Sequence, residues 1–103
     1  MIVAVVDEEV EYTHPDLAGH MWSGIGKNFC DRDNDDITWG EGHGTHVAGT
    51  IAAVSNNGIG ISGIAGGTGG GNGAKIMSCE IFHPTDGHYD ANSNATADAI
   101  KYA

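Results

Sequence analysis

The chain has 103 residues, with 14 acidic against 4 basic side chains and a formal charge of −10. That length holds one domain or part of one, and the absence of a basic patch argues against nucleic acid or anionic membrane as partner, since nothing would neutralise their phosphates. No apolar run approaches the ~18 residues of a membrane span, and no basic-then-apolar leader opens the chain, so any secretion signal was removed or was never part of this segment.

Ile2 to Val6, IVAVV, is a continuous apolar run of strand length, as expected of a strand covered on both faces of a parallel sheet. His14-Pro15-Asp16-Leu17 predicts a tight turn or a single helical turn opened by proline. An acidic, glycine-bearing loop fills residues 31–42. From Gly42 to Val54, GHGTHVAGTIAAV reads as a helix, with His43, Val47, Thr50, Ile51 and Val54 at three- and four-residue spacing. Its glycines cost about 1 kcal/mol each relative to alanine, which predicts another element packed close to the helix backbone.

Asn56 to Gly60 is rich in turn residues, and the glycine-dense stretch 66–73 predicts a surface loop. A phosphate-cradling role is disfavoured there, because no Gly-Lys-Ser/Thr follows and no helix pattern opens. Ala74 to Phe82, AKIMSCEIF, is a second strand, and Ala91 to Ala103 has the alanine content and spacing of a second helix. The order strand, helix, strand, helix predicts an α/β fold with a parallel sheet. Cys30 and Cys79 are too few and too far apart for a disulfide framework or zinc ribbon, and are expected as two small buried thiols.

Two residues stand where chemistry is done. Asp7 closes a buried strand, and sites in open α/β sheets form outside the carboxyl ends of strands. His43 opens a helix, whose partial positive charge is expected to keep an imidazole neutral and able to accept a proton. A carboxylate bonded to the other ring nitrogen would orient that ring and stabilise the imidazolium formed later. Glu41, His43 and His46 could instead hold a metal, but HxxH lacks the i,i+4 spacing and intervening glutamate of a zinc-protease helix.

The residues add more than their spacing. GHGTHVAGTIAA at 42–53 resembles the histidine signature of the subtilisin-like serine proteases, the subtilases. VAVVD at 3–7 resembles their aspartate strand, with His14-Pro15-Asp16-Leu17 at the matching offset, and NNGIGISGIAG at 56–66 and AKIMSCEIF continue the register. The resemblance implies a parallel sheet within a three-layer subtilisin-like fold, incomplete in this chain, with residues 1–103 an amino-proximal piece truncated at both ends. It implies a peptidase acting on polypeptides through an Asp-His-Ser triad, with Asp7 the orienting carboxylate, His43 the general base and His46 structural.

The family's nucleophilic serine, in a Gly-Thr-Ser-x-Ala context, and its oxyanion-hole asparagine are expected downstream. Ser23, Ser55, Ser62, Ser78 and Ser93 do not sit in that context, so the segment alone is predicted inactive, and either oligomerisation or a complementing chain would be needed to complete it. The resemblance also implies secretion, which strong acidity suits, and structural calcium. Asp16 matches the aspartate ligand of the high-affinity site, and the loop from Ser55 matches the segment giving main-chain carbonyls, at Ser55, Ile59 and Ile61, plus the Asn57 side chain. Asp31, Asp33 and Asp35, with Asp36, have the alternating oxygens of a second calcium loop, although it is not an EF-hand, and a solvated acidic loop is the competing reading.

One departure stands out. After the aspartate the family places a small hydroxyl residue and then glycine, where this chain has Glu8 and Glu9. If the turn needs a positive φ, Glu9 would strain it by about 1–2 kcal/mol, and the added carboxylates would raise the His43 pKa. On that reading, Glu8→Thr with Glu9→Gly would improve catalysis, and a non-catalytic relative that binds calcium or peptide is the alternative function.

Overall fold

The computed structural model describes residues 1–30, 40–68, 71–85, 88–91 and 93–103. Strand β1 (Ile2–Asp7) pairs in parallel with β3 (Lys75–Glu80), and β2 (Met21–Asn28) pairs in parallel with the other edge of β3, giving the order β1-β3-β2. Helix α1 (His43–Ala52) forms the crossover between β2 and β3, and α2 (Ser93–Tyr102) closes the chain. Between β3 and α2 lies an antiparallel pair, β4 (Phe82–Thr85) and β5 (His88–Ala91).

Alternation along the strands sorts the core into two layers. Val5 and Ile76 point to one face and join Val10, Leu17, Ala48, Ala52 and Ala74, with Val3, Val47 and Ile51 at the margin. Met77 and Cys79 point to the other and join Ile81, Ala95 and Ala99, with Ala4, Val6 and Trp22 beside them. The sheet is therefore sandwiched between α1 and α2, the α/β architecture with both faces covered that a continuous apolar strand predicts. Tyr102 pins the end of α2 against Trp22 and Phe29 in edge-on ring contacts, with centroids 6.4 and 5.4 Å apart. Cys79 is buried and Cys30 half-buried, and neither is in a disulfide. No helix among the described residues is long and apolar enough to cross a membrane.

Three expectations change. The strand predicted over Ala74 to Phe82 ends at Glu80, and Phe82 starts the hairpin, while Ala91, predicted helical, belongs to β5. Strand β2 has no counterpart in the sequence reading. It is bulged between Met21 and Gly26, with Ile25 at a φ of 60°, so its side chains do not alternate regularly. Gly26 lies hard against β3, where a Cβ would stand 2.7 Å from the Ser78 Cβ. In α1 the buried face is Gly44, Ala48, Gly49 and Ala52 rather than the larger residues whose spacing marked the helix.

His20, which ends the short turn leading into β2, is 1% exposed and feels the charge of Lys75. Burial first, and then the Lys75 charge, hold its pKa below the usual 6.5, partly offset by the Ala74 backbone. The unfolded state then binds the proton more readily, so His20 contributes stability above pH ~6.5 that is lost as the pH falls towards its folded value. Melting curves from pH 7.5 to 5.5 are expected to fall more steeply for the native protein than for His20→Gln. Parallel curves would show that His20 does not titrate in this range.

Candidate active site

Parallel pairing brings Asp7, Glu80 and Asn28 into one register row at the carboxyl end of the sheet. The chain leaving β1 then turns under the start of α1. Val10 is fully buried there, and the Glu11 N–H donates to Thr45 Oγ1 at 2.8 Å. This docking carries His43 to Asp7. Nδ1 of the ring lies 2.9 Å from each carboxylate oxygen, and Asp7 Oδ1 also accepts the Glu8 N–H at 2.8 Å.

The Asp7 side chain is 15% exposed and the His43 ring 72% exposed, so the carboxylate is sheltered while the imidazole faces outward. Nε2 has no hydrogen bond among the described residues. The pair opens on a cleft of about 410 Å³ lined by Val6, Asp7, Glu8, His43, Ile81 and Phe82. The Asp7 hydrogen bond, then its charge, and more weakly the Glu8 charge raise the His43 pKa above 6.5. This reverses the expectation that the helix terminus keeps the ring neutral, because a full negative charge in contact outweighs the roughly half charge of a helix dipole.

Such a pair can orient an imidazole, accept a proton at Nε2 and hold the resulting imidazolium. The structure does not assemble the alternative metal site: no group of three or more His, Cys, Asp or Glu side chains among the described residues could hold an ion. His46 is exposed on another side of α1, lining a pocket with His14, Glu11 and Ile61.

Of the residues expected around the first calcium, Asp16, Asn57, Ile59 and Ile61 lie together in one hydrogen-bonded group. Asp16 is 2% exposed, and its Oδ1 accepts from Asn57 Nδ2 at 2.6 Å while Oδ2 accepts from the Ile61 N–H at 3.3 Å. Asn57 Oδ1 accepts from the Ile59 N–H at 3.1 Å. Ser55 follows Val54, whose N–H donates to the Asp16 carbonyl at 3.1 Å. Asn56 and Gly58 both take positive φ, 61° and 73°, which folds the loop over the carboxylate. At Gly60 a Cβ would collide with Asp16 Oδ2. Asp31, Asp33, Asp35 and Asp36 lie outside the described residues.

Sequence reasoning missed the part played by Glu8, which is 7% exposed and turned into the fold. The predicted strain at Glu9 is absent: among the described non-glycine residues only Ile25 and Asn56 have positive φ. Glu9 instead sits half-buried with its pKa raised, by burial first and then by the Glu8 and Glu11 charges.

Several known proteins are similar to this chain over most of its length. Thermitase of Thermoactinomyces vulgaris is 49% identical over 101 residues, 98% of this chain and 32% of that protein. The thermophilic serine proteinase of Bacillus sp. (strain AK1) is 48% identical over 105 residues, 98% of this chain and 22% of that protein. Fervidolysin of Fervidobacterium pennivorans is 48% identical over 84 residues, 80% of this chain and 11% of that protein. The names of other matches include both an extracellular and an intracellular serine protease. The chain thus spans less than a third of the length of each of these three relatives. Residues 1–103 match the Subtilase family throughout, and the chain belongs to that family.

Proposed function

We propose that the protein carrying this domain is a serine endopeptidase that cleaves polypeptides by acyl transfer, with Asp7 and His43 as two members of its triad. The observation that carries this reading is the His43 Nδ1 contact, 2.9 Å to both Asp7 oxygens, with the opposite ring nitrogen turned to an open cleft. Asp7 holds the Nδ1–H tautomer. Nε2 takes the proton of a serine hydroxyl as its oxygen bonds to the substrate carbonyl carbon, then delivers that proton to the leaving amine. Water repeats the sequence on the acyl ester and releases the acid. The serine and the oxyanion donors are assigned to sequence beyond residue 103, as the family pattern implies. Casein hydrolysis by the protein carrying this domain tests the reading, and an inert, folded protein would support the non-catalytic alternative. A downstream Gly-Thr-Ser motif separates the two readings; Glu8 and Glu9 were a further ground for the alternative, and the backbone strain expected at Glu9 is not found.

We further propose that Asp16 and the Ser55–Ile61 loop hold a structural calcium ion. A buried carboxylate wrapped by a turn-rich loop suits a hard cation that takes oxygen donors. The Asn57 amide could present Oδ1 instead of Nδ2 by a flip, since the two ends are nearly isosteric. The ion would neutralise Asp16 and fix the loop against the carboxyl end of α1. Calcium at about 100 times its Kd would stabilise the fold by about 2.7 kcal/mol. The melting temperature is expected to drop with chelator, return with calcium, and lose both responses in Asp16→Asn. No response to chelator in the native protein would remove the site. We also propose that the protein acts outside the cell, which its acidic composition suits and the family resemblance implies, on polypeptide rather than nucleic acid or membrane.

A further inference from the structure

Helix α1 has no cap of its own. Gly42 occupies the N-cap position at a left-handed φ of 94° and supplies no side-chain acceptor. The first N–H groups of a helix have no intrahelical partner, and a Ser, Thr, Asp or Asn at the cap ordinarily satisfies one of them. Here the acceptor comes from the far end of the motif. Glu8 Oε1 accepts from the Glu41 N–H at 3.2 Å and from the His43 N–H. A carboxylate is also the charge that a helix N-terminus favours.

Three bonds then close on one another. The Asp7 carboxylate accepts the Glu8 N–H and holds His43 Nδ1, while the Glu8 carboxylate holds the His43 N–H. His43 is gripped by its ring from one residue and by its backbone from the next. Gly40 also packs here, since a Cβ on it would stand 3.2 Å from the Glu8 carboxyl carbon. Burial and two backbone donors tie the Glu8 carboxylate to the helix start.

We propose that Glu8 is a positioning residue for the acyl-transfer reaction: its carboxylate caps α1 and sets His43 onto Asp7. The proposal rests on the triad reading of those two residues, and it reverses the view of Glu8 as a burden on the site. The chemistry requires an acceptor oxygen at the reach of a glutamate, so Glu8→Gln keeps the cap and Glu8→Ala removes it.

The test compares both variants with the native full-length protein on a peptide anilide across pH 5 to 9. Glu8→Ala is expected to lose kcat ten- to hundredfold with KM within twofold. Glu8→Gln is expected to stay within threefold in kcat, with the acid limb of kcat/KM moved to lower pH because a negative charge near His43 is gone. Native kcat in Glu8→Ala, or equal loss in both variants, overturns the capping role while leaving the triad reading intact. Should Glu8→Ala not accumulate as folded protein, Glu8→Gln decides: a hundredfold loss or an unmoved acid limb overturns the proposal. An inactive native protein overturns the triad reading and this proposal with it.

Discussion

Alanine in place of His43 is expected to lower kcat of the full-length protein by about 10⁶, the loss found when a triad histidine is removed from subtilisin. Among the described residues lining the cleft, the His43 ring alone has an unengaged basic nitrogen, and it is 72% exposed. Removing it is therefore expected to disturb the fold far less than it disturbs turnover, which thermal melts beside the rates would show. An effect confined to turnover separates a catalytic role from a structural one. Asp7→Asn is expected to cost about 10⁴, because an amide leaves the ring in the wrong tautomer. The native acid limb of kcat/KM should lie above pH 6.5, since Asp7 raises the His43 pKa and only the neutral ring accepts a proton. A titration at or below 6.5 would mean that the 2.9 Å contact is not maintained in solution.

The second large effect is expected at Gly44. A Cβ there would stand 2.7 Å from the Glu8 carbonyl oxygen and closer still to that of Glu9, so the obstruction is backbone and cannot rotate away. Alanine would gain about 1 kcal/mol of helix propensity, but overpacking costs typically 1–3 kcal/mol. Relief of the overlap requires α1 to retreat from the segment after β1. His43 is the preceding residue, and a displacement of about 1 Å at a reacting group can cost about 10² in rate. Gly44→Ala is therefore expected to lose both stability and ten- to hundredfold in kcat. Gly49 provides the contrast: its Cβ would meet only the flexible end of Ile61 at 3.4 Å. Gly49→Ala should stabilise by up to about 1 kcal/mol with kcat unchanged. Thermal melts and steady-state rates on the two variants check this, and similar behaviour of the pair would refute the packing account.

What could be read from the sequence was local. Ile2–Asp7 announced itself by a β-branched run, and the start of α1 by the change from loop to helical spacing. The motif resemblance then supplied fold and family together. Strand β2 stayed hidden because a bulge with Gly24 and Gly26 has no period to detect. The β4–β5 pair was hidden because Phe82 extends the apolar run of β3, although Asp86-Gly87, between the two strands in sequence, is a strong hairpin signal.

The site divided in the same way. Asp7 and His43 were identified from their motifs, but the part played by Glu8 depends on a bond across 35 positions that no local pattern encodes. Comparison with the family's usual small residues made Glu8 and Glu9 look alike. In the fold they differ, because Glu8 reaches the helix start while Glu9 keeps ordinary backbone geometry. The helix dipole was a sound local consideration for His43, and a tertiary contact with Asp7 overrode it.

The most direct test of the central claim is labelling of the full-length protein with a fluorophosphonate, which reacts only with a serine activated by a neighbouring base. A single adduct is expected on a serine beyond residue 103, formed in the native protein and abolished in His43→Ala. A folded native protein that takes no label, or an adduct that forms equally well without His43, would contradict the claim.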